Sequence, residues 1–279
     1  MPFVTARDGV RLHYAMHDYT DPWKQAPILI LQHGYSRSSK FWWSMIPYLS
    51  RFFRVVTPDL RGLGESSRDF DLASGITVDN YVSDLICIAD SLGAETFHYC
   101  GESLGGIIGM VLAARHSGRV RTLSLLAAPL SISSWTQQTF ALNYPTWQDA
   151  LREMGSRGWT SAVNTATRFP PGTDPRMMEW YADESGKSDV NVLIAMSRLA
   201  SKADATPVLT SIKMPVLGLY PDGGKITSEQ EAVLREKIAN IRIVHIPTTY
   251  HMVWVLAPSQ CADHILHFMA VHDGTVCRE

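Results

Sequence analysis

The segment HYCGESLGG at residues 98–106 constrains the fold more than any other part of this 279-residue chain. Ser103 stands between Gly101 and Gly105, with an apolar strand-like run before it and a helix-like run after it. A serine on a sharp strand-to-helix turn has a strained backbone, and the residues two positions away must be small enough to let the strand and the helix pack. The segment therefore predicts a buried strand, a tight turn that presents Ser103, and a helix whose N-terminal N–H groups point towards that turn.

Strand-like and helix-like stretches alternate along most of the chain. Strands are predicted at 10–16, 28–32, 54–57, 96–100, 120–127, 216–220 and 241–246, and helices at 40–51, 78–93, 104–116, 228–239 and 258–270. The strand at 28–32 is apolar at nearly every position, as in the middle of a sheet that is covered on both faces. The pattern predicts an α/β fold with a mostly parallel, doubly wound sheet.

Residues 130–212 interrupt this alternation. They contain no convincing strand, and about eighty residues are too many for a simple crossover between two strands. They are also rich in tryptophan, with Trp135, Trp147, Trp159 and Trp180. We therefore predict a core formed by 1–129 and 213–279, and a helical cap, or lid, formed by 130–212 over the carboxyl ends of the strands.

The composition argues against several classes of partner. The formal net charge of −2 gives no electrostatic reason to expect nucleic acid or an anionic membrane. No apolar run approaches the roughly 18 residues that a membrane span requires. The N-terminal MPFVTARDGVRLHY has no signal-peptide core, so we expect a cytoplasmic protein whose partner is a small-molecule substrate.

The four cysteines form no CxxC pair and are expected to be structural. The oligomeric state is left open, a homodimer included.

Four features in chain order resemble the α/β-hydrolase family. His33-Gly34 matches the family's HG motif, residues 59–66 (DLRGLGES) match its D-x-R-G-x-G-x-S loop, and Ser103 matches its nucleophile. The insertion at 130–212 lies where the family places its cap. The resemblance covers nearly the whole chain. It implies the α/β-hydrolase fold and catalysis by a serine, with no metal and no organic cofactor.

A serine hydroxyl needs a base to accept its proton. His251 follows the last predicted strand and precedes the terminal helix, which resembles the family's histidine loop and gives the chain order Ser, acid, His. The resemblance also implies an oxyanion hole formed by the backbone N–H groups of Tyr35 and Leu104. Glu102 is adjacent to the nucleophile. We interpret it as a structural or pocket-polarity residue, because neighbouring side chains at such a turn diverge.

The third triad member departs from the family pattern. Many members place the acid at the end of a G-x-x-D loop after the strand equivalent to 216–220, and that position here is Gly224. Asp222 lies two residues earlier and is the acid of this loop, whose Gly223 and Gly224 allow an altered path. We predict Asp222 as the triad acid. An ordinary Asp-Gly turn, another carboxylate such as Glu229, and a dyad without an acid are the alternatives.

Several side chains are candidates for substrate binding. They are Trp254, three residues after His251, the cap residues Trp135 and Trp180, and Arg198 as an anchor for a substrate carboxylate. The chain resembles the enol-lactonase and small-ester branch of the family. It is therefore predicted to be a serine hydrolase of the esterase or lactonase type, which cleaves a carboxylic ester or lactone of a small apolar or aromatic substrate through an acyl-enzyme. Hydrolysis of an amide or of a carbon–carbon bond in a ring-cleavage product is an alternative, and a ligand receptor on the same fold is another.

Overall fold

The computed structural model describes residues 2–223 and 228–274. Within these residues, eight strands form one sheet in the order β1-β2-β4-β3-β5-β6-β7-β8. They are β1 Phe3–Thr5, β2 Arg11–His17, β3 Ile28–Gln32, β4 Arg54–Pro58, β5 Phe97–Glu102, β6 Val120–Leu126, β7 Val216–Pro221 and β8 Ile241–Ile246. The first two strands are antiparallel to their neighbours, and all pairings from β4 to β8 are parallel. The predicted fold class is confirmed.

The helices cover both faces of the sheet. They are α1 Ile46–Leu49, α2 Leu72–Gly75, α3 Val78–Ser91, α4 Leu104–Arg115, α5 Ser134–Ala141, α6 Trp147–Val163, α7 Pro175–Gly186, α8 Val190–Ala200, α9 Ser228–Lys237, α10 Val253–Leu256 and α11 Pro258–Asp273. Successive side chains of a strand point to opposite faces. Ile28 and Ile30 of β3 accordingly belong to one apolar core, whereas Leu29 and Leu31 belong to a second core that includes residues of α11. The sheet is therefore doubly wound, with a packed core on each side.

Two elements differ from the sequence-based expectation. The strand β1 was not predicted, since it is only three residues long and pairs at the edge of the sheet. The helix predicted at 40–51 is wrong as one element. It is divided into a 3₁₀ turn at Ser39–Trp42 and the short α1. Pro47 explains the division, because a proline inside a longer helix lacks the N–H for the i→i−4 hydrogen bond.

The segment between β6 and β7 is helical. It contains α5 to α8, a π-helical turn at Asn164–Arg168 and a 3₁₀ turn at Thr206–Ser211. Trp147 and Trp159 are buried and stack at 5.8 Å with an interplanar angle of 21°, so these tryptophans form the interior of the helical segment. The division of the chain into a core and a cap stays a prediction. Within the described residues, no helix combines the length and the apolar character needed to cross a membrane.

Several side chains with reactive groups belong to the core rather than to a site. His98 is buried and contacts Asp273 at 3.1 Å, and burial lowers its pKa to about 4. It is therefore a neutral structural histidine at ordinary pH. Cys87 is half-buried and Cys100 is buried, both as free thiols. Cys277 lies outside the described residues.

Candidate active site

Ser103 occupies the strained turn that the sequence predicts. It lies between β5 and α4 with φ 51° and ψ −119°, a conformation that residues other than glycine rarely adopt. Its backbone N–H donates to the carbonyl oxygen of Leu126 at 3.0 Å, which ties the turn to the neighbouring strand β6. Strain of this kind persists only where the surroundings enforce it, and it clusters at functional sites.

The flanking glycines allow the turn to form. A Cβ atom on Gly101 would lie 2.4 Å from the carbonyl oxygen of Gly105, and a Cβ on Gly105 would lie 2.4 Å from the carbonyl oxygen of Gln32. Both obstacles are backbone atoms, which cannot rotate out of the way as a side chain can. The G-x-S-x-G spacing is therefore a consequence of how closely β3, β5 and α4 approach one another.

We expect Gly101→Ala to lower the free energy of unfolding by about 1–3 kcal/mol, the usual cost of overpacking. The matched control is Gly118→Ala, where an added Cβ meets nothing within 4 Å. That change should stay within about 0.5 kcal/mol of the parent. Urea denaturation of the three proteins measures the difference. Equal stabilities for the two variants would contradict the steric explanation.

The backbone N–H groups of Tyr35 and Leu104 are available to bind an anion. Leu104 is the first residue of α4, and within the described part of the chain neither N–H donates to a protein acceptor. His33 fixes the loop that carries Tyr35. Its Nε2 accepts from the backbone N–H of Leu60 at 3.1 Å, so Nδ1 carries the proton and donates to the carbonyl oxygen of Gly34 at 2.9 Å. These two N–H groups have the character required of an oxyanion hole.

Glu102 holds the loop that carries Tyr35 through contacts to Gly34 and Arg37. Its carboxylate is fully buried and accepts from Nη1 of Arg37 at 2.7 Å and 2.8 Å, and it also accepts the backbone N–H of Gly34. Burial by itself would lower the pKa of Arg37, but the Glu102 carboxylate raises it above its ordinary value. The Arg37 side chain also donates to the hydroxyl of Tyr181. The contacts of Glu102 therefore fit the structural interpretation of this residue.

Ser103 and His251 line one cavity. It encloses about 830 Å³, counting the part that is open to solvent, and the residues of the predicted oxyanion hole line it as well. His251 lies on the loop after β8, where its backbone N is 3.5 Å from the carbonyl oxygen of Thr167. The apolar part of the lining includes Phe140 and Trp147. The cavity therefore combines the predicted nucleophile and base with an apolar wall, as is common in small-molecule sites.

Asp222 lies at the end of β7 and is exposed. Its backbone N–H donates to the carbonyl oxygen of Ile246 at 2.9 Å, which keeps it beside the strand that leads to His251. Its carboxylate makes no hydrogen bond to another described residue and does not line the cavity. Glu229 is likewise exposed, in the first turn of α9, and Gly224 lies outside the described residues. The structure therefore does not join Asp222 to His251, and the identity of the acid stays a prediction.

The four side chains predicted to bind substrate are not among the residues that line this cavity. Trp254 is fully buried beside Trp42, with 5.9 Å between the ring centroids. Trp135 is exposed on α5, and Trp180 packs against other aromatic rings outside the cavity. Arg198 is exposed on α8. All four lie on helices, α10, α5, α7 and α8 respectively, on faces that do not form the cavity lining.

One of the cations that line the cavity, Arg168, was not predicted from the sequence. Arg168 ends the π-helical turn after α6 and is buried, with 3% of its surface exposed. Thr167, next to it, also lines the cavity. The segment NTATRFPPG carries no motif that would have singled out this arginine. A π-helical turn is a local irregularity that is frequent at functional sites, but it is not readable from a hydrophobic pattern.

Comparison with known proteins identifies one family and several relatives. The family model described as "alpha/beta hydrolase fold" matches residues 27–162. A bifunctional esterase/perhydrolase of Acinetobacter calcoaceticus is 34% identical over 241 residues, which are 81% of this chain and 83% of that protein. The crystal structure of the enol-lactonase from Burkholderia xenovorans superposes with a TM-score of 0.83 at 23% identity, covering 96% of this chain and all of that one, which is a likeness of fold.

Other relatives match over a shorter stretch. A putative carbamate hydrolase of Agrobacterium fabrum is 35% identical over 117 residues, which are 42% of this chain and 43% of that protein. The matched part of this chain thus spans less than half of the length of that relative.

Proposed function

Because the chain belongs to the α/β-hydrolase fold family, we propose that it is a serine hydrolase that cleaves a carboxylic ester or a lactone through an acyl-enzyme. The observation that carries the proposal is that Ser103, held in a strained turn, shares one cavity with His251. The named activities of the relatives, esterase/perhydrolase and enol-lactonase, support the same class of substrate.

In the first half of the proposed reaction, the Oγ of Ser103 attacks the carbonyl carbon while His251 accepts the hydroxyl proton. The carbonyl oxygen becomes an oxyanion that receives hydrogen bonds from the N–H groups of Tyr35 and Leu104. His251 then gives its proton to the departing alkoxide as the C–O bond breaks. An ester releases an alcohol at this point, whereas a lactone opens and keeps its new hydroxyl on the acyl group.

In the second half, His251 removes a proton from a water molecule, which attacks the carbonyl carbon of the acyl-enzyme. The oxyanion hole is used again, and the bond to Ser103 breaks as the serine oxygen regains the proton. The products are a carboxylic acid and free enzyme. His251 returns every proton that it accepts, so no other acid or base is needed.

In this proposal Asp222 orients His251, and Asp222→Asn is expected to lower kcat by about 10⁴, as the loss of a triad acid does elsewhere. The Asp222 carboxylate and His251 are not hydrogen-bonded to each other in the structure, so the prediction requires that they make this contact in the substrate complex. Steady-state kinetics with a p-nitrophenyl ester measures the effect. Glu229→Gln is the matched control and should leave kcat unchanged. A loss of only a few fold in Asp222→Asn would indicate a dyad, and a large loss in Glu229→Gln would make Glu229 the acid.

A substrate screen tests the proposed reaction class. Purified protein is incubated with p-nitrophenyl esters, lactones and dienoic ring-cleavage acids under conditions that allow many turnovers. We expect repeated turnover of esters or lactones. Cleavage of the dienoic acids alone would instead identify a carbon–carbon hydrolase, and a single slow turnover of every substrate would favour a ligand receptor.

A further inference from the structure

The cavity contains a buried cation that the proposed reaction does not use. Arg168 lines the cavity together with Ser103 and His251. Its side chain makes one hydrogen bond to a described residue, from Nη1 to Oδ1 of Asn164 at 3.1 Å. Its guanidinium carbon lies 5.5 Å from the ring centroid of Trp159, which gives a cation–π contact. A guanidinium has five N–H donors, so most of the donors of Arg168 have no acceptor among the described residues.

Two other buried arginines of this chain, Arg37 and Arg61, form ion pairs with carboxylates. Arg37 is bound by both oxygens of Glu102, and Arg61 contacts Asp8 at 2.7 Å and Asp84 at 2.6 Å. Arg168 forms no ion pair with a carboxylate in the described part of the chain, although it is equally buried. A buried charge without a counter-ion is destabilising, and such groups are kept where a ligand supplies the opposite charge.

The surroundings of Arg168 favour an anion. Burial and, to a smaller extent, the positive charge of Arg37 lower its pKa to about 10, so the side chain stays protonated at neutral pH. The described residues that line the cavity include no aspartate or glutamate. Glu102 already balances Arg37, so the cavity has a surplus of one positive charge.

From this arrangement we infer that Arg168 binds a carboxylate of the substrate, so that the substrate is an ester or lactone that carries a second, ionised carboxyl group. The planar guanidinium matches a carboxylate with two parallel hydrogen bonds. A surplus of one charge suits a singly charged carboxylate better than a doubly charged phosphate monoester. Phe140 and Trp147 in the same lining would contact the apolar chain between the two ends. The inference rests on the proposed function, because Ser103 defines which end reacts.

The test uses two ligands that differ only at one end, monoethyl glutarate and ethyl pentanoate. Their binding to Ser103→Ala is measured by calorimetry, so that no turnover is needed. We expect monoethyl glutarate to bind more tightly than ethyl pentanoate. Adding Arg168→Met to the Ser103→Ala protein should lower the affinity for monoethyl glutarate by about 10- to 100-fold, as expected for the loss of a charge-assisted hydrogen bond. The affinity for ethyl pentanoate should change by less than about threefold. Arg198→Met removes an equal charge from an exposed position on α8 and should alter neither affinity.

Several outcomes would overturn the inference. These are no detectable binding of the hemiester, an unchanged affinity in Arg168→Met, and an equal loss for both ligands. If Arg168→Met does not fold, Arg168→Lys keeps the charge but loses the paired hydrogen bonds, and it should weaken the hemiester by an intermediate factor while ethyl pentanoate binds as before.

Failure of the proposed function gives a different pattern. A wild-type protein that hydrolyses neither ester, while its Ser103→Ala form binds the hemiester through Arg168, contradicts the hydrolase proposal alone. A protein that hydrolyses ethyl pentanoate and does not respond to the second carboxylate contradicts the assignment of Arg168 alone.

Discussion

Replacing Ser103 with alanine is expected to lower kcat by about 10⁶ while leaving the fold intact, because the reaction then has no nucleophile. The strained turn is enforced by the close approach of β3, β5 and α4, so an alanine in the same backbone conformation keeps the geometry of the cavity. Substrate should still bind, since the lining groups other than the serine hydroxyl are unchanged. Initial rates with a p-nitrophenyl ester and thermal unfolding of the same sample give the two readouts.

The matched control for this change is Ser131→Ala. Ser131 lines the same cavity but lies after β6 and belongs to no reactive pair in the proposed mechanism. It should keep kcat within a few fold of the parent. Residual activity of one per cent or more in Ser103→Ala, with a normal melting temperature, would reject Ser103 as the nucleophile.

Replacing His251 with glutamine is expected to lower kcat by a similar factor of about 10⁶. Without the imidazole, no group accepts the serine proton in the first half of the reaction or the water proton in the second. Both halves of the reaction are then slow. Labelling with a fluorophosphonate, which reacts with an activated serine, should slow in parallel with ester hydrolysis.

His267→Gln is the control for the histidine. His267 is exposed on α11 and is not among the residues that line the cavity. It should hydrolyse and label at the parent rate. If His251→Gln labels as fast as the parent, Ser103 is activated by another base and the assignment of His251 fails.

The features that the sequence predicted well depend on local patterns. The run ILILQ at 28–32 is apolar on both faces, and it is indeed a strand whose residues alternate between two cores. The glycines around Ser103 are required by backbone contacts within a short stretch of chain, so the turn can be recognised without knowing what surrounds it. Strand–helix alternation then determines the order of the parallel strands to a large extent.

The features that it could not predict depend on packing between distant segments. Arg198 and Arg168 both lie in the helical segment between β6 and β7, and the sequence gives no indication which of them reaches the cavity. Arg168 is buried at the end of the π-helical turn, whereas Arg198 is on the exposed face of α8. Whether the Asp222 carboxylate meets His251 likewise depends on two loops, after β7 and β8, that are far apart in the sequence.

The proposed reaction requires that Ser103 forms a covalent bond to the acyl group of the substrate. The most direct test mixes the protein with a p-nitrophenyl ester, stops the reaction in acid within milliseconds, and measures the mass of the intact protein and of its peptides. We expect one added acyl group on the peptide that contains Ser103, and none in Ser103→Ala. Steady turnover without any adduct, or an adduct on another residue, would contradict it.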